Sequence, residues 1–86
     1  MKFTLAVFKS RTDTMRFYNI IKKYNGFCSI INTPHTLSRS CGISVKISGA
    51  NISIAKNIIA SNRFDSFVGI YDIIIINGKE NSTKLY

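Results

Sequence analysis

Cys41 is the residue of this chain best placed to do chemistry. It stands between Ser40 and Gly42 in a polar stretch that also holds Arg39 and the chain's single histidine, His35. The thiolate is the nucleophile that accepts and passes on sulfur or selenium, so a working cysteine sits where positive charge or backbone N–H groups hold an anion. Arg39, His35 and the unhindered backbone at Gly42 can supply those elements. A helix through residues 34–40 would instead set its negative end against Cys41 and oppose the anion. A packed, inert thiol is the alternative reading, and it stays open.

The remaining candidates are weaker. Cys28 follows Phe27 and alternates with Ile30, which reads as a small core residue of a strand. A Cys28–Cys41 disulfide is compatible with the spacing, but a reducing compartment disfavours it as a permanent staple. One His and two Cys fall short of a closed structural zinc site, so no metal and no other cofactor is expected. The loop contains no carboxylate to complete an acid–base pair, and Cys41 with His35 would lack a third orienting group. The dispersed glycines form no phosphate-binding loop.

Periodicity supplies the elements that position this loop. Phe3, Leu5 and Val7 alternate with Lys2, Thr4 and Ala6 as a first strand. Ser10 and Asp13 then open a helix whose apolar stripe is Phe17, Ile20, Ile21 and Tyr24, with Gly26 to end it. Residues 27–32 form a second strand, and Ile43, Val45 and Ile47 mark a third. Ser48 can cap a second helix with Ile54, Ala55, Ile58 and Ile59 on its buried face. Phe67–Ile76 is the last strand, with Gly69 as a candidate bulge, and Asn77-Gly78 turns the chain into a polar tail expected to fray. This order predicts an α+β fold: a ferredoxin-like βαββαβ sandwich, residues 1–76, with two helices on one face of an antiparallel sheet and a tail over 77–86. Thr4, Ser29, Ser44 and Lys46 supply polar positions for an uncovered face. The second and third strands are joined by residues 33–42, longer than a hairpin needs, which marks a binding or reactive loop. Thr33 and Pro34 suit the start of a helical turn within it.

The formal charge of +8 sits in residues 1–60, where nine basic groups face one acid, Asp13. A nucleic-acid or anion-binding module using Lys9, Arg11, Lys22, Lys23, Arg39 and Lys46 is the second reading. It is disfavoured because the third strand has no aromatic residue to stack on a base. The third reading is an interaction module. Four consecutive isoleucines, Ile73 to Ile76, cannot all face a one-sided core, and a homodimer through the Phe67–Ile76 edge strand would cover them. No stretch is long and apolar enough for a membrane-spanning helix, and the expected location is cytoplasmic.

The strand ending in Phe8, the helix opening Ser10-Arg11-Thr12, the string Thr33-Pro34-x-x-Leu37-Ser38-x-x-Cys41-Gly42-Ile43 and the closing Gly69-Ile70-Tyr71 together resemble a small bacterial family, the selenium/sulfur carrier protein-like domains. The resemblance runs from about residue 3 to 73, and His35 stands where similar proteins commonly have a basic residue, often Arg. It implies a cytoplasmic domain whose Cys41 carries sulfur or selenium, and the loop residues Thr33, Pro34, His35, Ser38, Arg39 and Gly42 are the expected binding residues around it. It also implies donor and acceptor proteins as partners.

Overall fold

The computed structural model describes residues 1–24, 27–37 and 40–86. In chain order the elements are β1 (Lys2–Phe8), α1 (Arg11–Lys22), β2 (Cys28–Asn32), β3 (Ile43–Ile47), α2 (Ile52–Ser61, preceded by a 3-10 turn at Gly49–Asn51), β4 (Phe67–Ile76) and β5 (Lys79–Lys84). All five strands join one antiparallel sheet in the order β2-β3-β1-β4-β5. The class is α+β. Among the described residues no helix is long and apolar enough to cross a membrane.

Both helices lay their apolar stripes on one face of the sheet. Phe17 and Ile21 of α1 and Ala55 and Ile58 of α2 meet Ala6, Phe8, Val45, Ile47 and Ile70 there. Phe8 is the hub, with ring centroids 5.2 Å from Phe17, 5.3 Å from Phe64 and 5.5 Å from Phe67. Burying each such side chain stabilises the fold by about 1.5–3 kcal/mol. Tyr24, the last member of the expected α1 stripe, is exposed, because α1 ends at Lys22 and Tyr24 lies beyond it in a turn. The expected stop at Gly26 lies outside the described residues.

The opposite face is only in part the uncovered polar surface that the sequence suggested: Ser29 and Lys46 are exposed there, but Ser44 is buried. Leu5, Val7 and Ile73 lie there fully buried, covered by Phe3, Ile31, Leu37, Tyr71 and Ile75. Alternation along β1 therefore separates two buried faces, and every residue from Thr4 to Phe8 is buried. Thr4 sits on the helix side and donates to the Asp72 carboxylate at 2.7 Å. The structure thus gives Ile73 and Ile75 a home within the monomer.

The C-terminal segment is a strand and not a fraying tail. Asn77 and Gly78 take positive φ values of 52° and 77°, which shape a two-residue hairpin turn. β5 then pairs with β4 from Ile76↔Lys79 to Tyr71↔Lys84. Phe67–Ile76 is accordingly an interior strand, so the edge on which the expected homodimer depends is already occupied. The register between β1 and β4 shifts beside Val68, one residue before the expected bulge at Gly69. Gly69 serves packing instead: a Cβ there would lie 3.0 Å from both the Lys84 and Tyr71 side chains.

Candidate functional site

The site begins at the junction of β1 and α1. Ser10 caps α1, its hydroxyl accepting from the Asp13 N–H at 3.0 Å. The Asp13 carboxylate accepts from the Ser66 hydroxyl at 2.6 Å and the Ser66 N–H at 3.0 Å. These bonds, helped by the Arg16 guanidinium, hold the Asp13 carboxyl below its ordinary range, against the opposing effect of burial. The Ser10 N–H also donates to the Ser66 hydroxyl, at 3.1 Å. The segment leading into β4 thereby fixes the first turn of α1.

Thr14, fully buried in that turn, donates its hydroxyl to the Ser10 carbonyl at 2.9 Å. The Cys41 sulfur lies 3.6 Å from the same hydroxyl oxygen and 3.6 Å from the Ile43 carbonyl. The Cys41 N–H donates to the Phe8 carbonyl at 3.3 Å, anchoring the loop to the end of β1. As a thiol, Cys41 donates to one of the two oxygens. As an anion it can accept from Thr14, once that hydroxyl turns away from Ser10. The sulfur also sits beside the first turn of α1, the end of a helix that attracts negative charge.

The loop is held by a relay of hydroxyls. The Gly42 N–H donates to Ser40 Oγ at 2.9 Å, Ser40 donates to Thr33 Oγ1 at 2.7 Å, and Thr33 meets Ser44 Oγ at 2.6 Å. Thr33 also closes the base of the loop, its N–H donating to the Gly42 carbonyl at 2.9 Å. Gly42 has φ +100°, a conformation that L side chains rarely adopt. The described part of the loop holds a single turn at its start, closed by Leu37 N–H to Pro34 C=O at 3.0 Å. Thr33 does not cap it, since its hydroxyl is committed to Ser40 and Ser44. Leu37 packs on the Leu5, Val7 and Ile73 cluster, and Thr36 bonds the Glu80 carboxylate of β5 at 2.7 Å.

The structure thus gathers Thr33, Ser40 and Gly42 into one network that delivers Cys41 to Thr14. The turn sends His35 out to solvent, and among the described residues no hydrogen bond joins it to Cys41. Ser38 and Arg39 lie outside the described residues. Thr14 was missed in the sequence, although it carried a signal. It is the polar member of the stripe Thr14, Phe17, Ile21, on the face the helix buries.

Cys28 is distinct from this site. Its side chain packs partly against the helix-side core, and burial pushes its thiol up, with Lys22 opposing. Both cysteines are free thiols.

A family model described as "Putative Se/S carrier protein-like" matches residues 3–71. The chain belongs to this family. No curated protein and no solved structure matches the chain. The Se/S carrier-like match takes in β1 from Phe3, both helices, the whole 33–42 loop and the first half of β4. It includes both partners of the Cys41–Thr14 contact and ends before β5.

Proposed function

We propose that this protein is a sulfur or selenium carrier that holds the transferred atom on Cys41. The observation that carries the reading is the setting of the sulfur. Cys41 is partly exposed and anchored through its backbone N–H to Phe8, and its sulfur lies beside a hydroxyl at the start of α1. Membership of the carrier-like family supports the same reading.

In the transfer, the Cys41 thiolate attacks the outer sulfur of a donor persulfide. A new S–S bond forms to Cys41, the donor's S–S bond breaks, and the donor leaves as its thiolate. The acceptor's thiolate repeats the step on the outer atom and frees Cys41, so no external oxidant or reductant is consumed. A selenium atom bound to the donor sulfur would follow the same course. Thr14 and the end of α1 would stabilise the sulfur each time it is anionic. Such a protein works between a donor and an acceptor protein in a reducing, cytoplasmic setting. We read β1 to β4 with the two helices as a ferredoxin-like unit to which β5 is added.

The test loads the protein with glutathione persulfide, removes the reagent, and measures sulfide released by dithiothreitol. Release close to one equivalent from wild type and Cys28→Ser, with none from Cys41→Ser, is expected. Release that persists in Cys41→Ser contradicts the proposal.

A further inference from the structure

The two edges of the sheet are guarded very differently. β5 carries Lys79, Glu80 and Lys84, charges of the kind that discourage another strand from pairing. β2, Cys28-Ser29-Ile30-Ile31-Asn32, carries no charge and no proline. Among the described residues β3 is its only hydrogen-bonding strand.

The register shows which groups are free. Thr33 N–H donates to Gly42 C=O, so 33 and 42 form a hydrogen-bonded pair, and the pairing continues through Ile31↔Ser44 and Ser29↔Lys46. The backbone groups of Cys28, Ile30 and Asn32 therefore point outward. Phe27, immediately before the strand, is 88% exposed. A hollow of about 440 Å³ opens at this end of β2, with Lys22, Phe27, Cys28, Lys46 and Ser48 on its walls.

We propose that the β2 edge is a docking site for an extended, acidic segment of a partner protein, which adds to the sheet as a further strand. The alternating outward N–H and C=O groups recognise a peptide backbone. Lys22 and Lys46 select negative side chains at the hollow, and Phe27 offers an apolar anchor. A second copy of this chain is a poor occupant, because each chain carries a formal charge of +8. The proposal stands independently of what Cys41 carries.

The test uses the full chain and a fluorescein-labelled peptide of alternating Glu and Val, with alternating Lys and Val as control. Binding of the acidic peptide alone is expected, with slowed amide exchange at Ile30 and Asn32 and unchanged exchange at Ser29 and Ile31. Asn32→Pro removes an outward N–H while leaving the β3 ladder intact, and should weaken binding about tenfold or more. The double variant Lys22→Glu with Lys46→Glu should weaken it comparably, and it decides the matter if Asn32→Pro fails to fold. Wild-type affinity in the folded variants, protection elsewhere in the chain, a β2-mediated homodimer in sedimentation, or preferential binding of oligouridylate at this edge would each overturn the proposal.

Discussion

The hydroxyl oxygen of Thr14 lies 3.6 Å from the sulfur of Cys41, across twenty-seven residues of chain. This contact links the first turn of α1 to the loop between β2 and β3. It makes the helix, fixed from below by Ser66, part of the thiol's surroundings.

Replacing Thr14 by Val keeps the branched shape and removes the hydroxyl. The variant lacks the hydroxyl beside the Cys41 sulfur, so alkylation of Cys41 by iodoacetamide at neutral pH should be slower than in wild type. Thr14→Ser should retain most of the wild-type rate. Equal rates in all three proteins would remove Thr14 from the mechanism.

Gly42→Ala should destabilise the fold, because φ +100° is strained for any residue with a Cβ even though the space there is open. A cost of about 1–2 kcal/mol is expected from the left-handed backbone. In a domain of this size that corresponds to a fall of roughly 4–16 °C in Tm, readable by circular dichroism.

Asp13 makes stability depend on acid. Its folded-state pKa lies below the ordinary value of 3.8, chiefly through Ser66, so the ionised form is favoured by folding. The stabilisation is complete above the unfolded pKa and is lost as pH falls through the folded pKa. Urea midpoints measured from about pH 6 down to about pH 2 should decline over that acid range. Ser66→Ala should lower the midpoint at the upper end and flatten the decline.

Cys28 should react more slowly than Cys41. Burial raises its pKa above the ordinary 9.0, and Lys22 offsets only part of that. Its labelling by iodoacetamide should be minor at neutral pH and rise steeply under alkaline conditions, with Lys22→Gln slowing it further. Faster labelling of Cys28 than of Cys41 in the native protein would contradict this assignment.

Ending the chain at Ile76 removes β5 and opens the edge of β4. The shortened protein should be less stable and should self-associate through that apolar strand, as read by sedimentation velocity at increasing concentration.

These relationships were unevenly legible in the sequence. α1 was readable because Phe17 and Ile21 recur at helical spacing and Ser10 stands at the capping position. β1 was readable as a strand but not in its facing: strict alternation implies one buried side, and only the packing of Ile31, Leu37, Tyr71 and Ile75 in the fold shows that both sides are buried. β5 was hidden because Lys79 to Lys84 contains no apolar residue, although Asn77-Gly78 is a strong hairpin signal that points to it. At the site, Cys41 and Gly42 stood out by type and position. Thr14 did not, since its value lies in proximity across the fold, and a threonine in a helix has no chemical signature by itself. His35 stood out as the single histidine, and it lies exposed in the Pro34–Leu37 turn.

The most direct test of the carrier assignment is peptide-level mass spectrometry of the native protein after brief exposure to a limiting amount of glutathione persulfide. The account predicts that the added sulfur atom is found on the peptide containing Cys41, with Cys28 unmodified. Sulfur on Cys28 alone, or on neither cysteine, would contradict it.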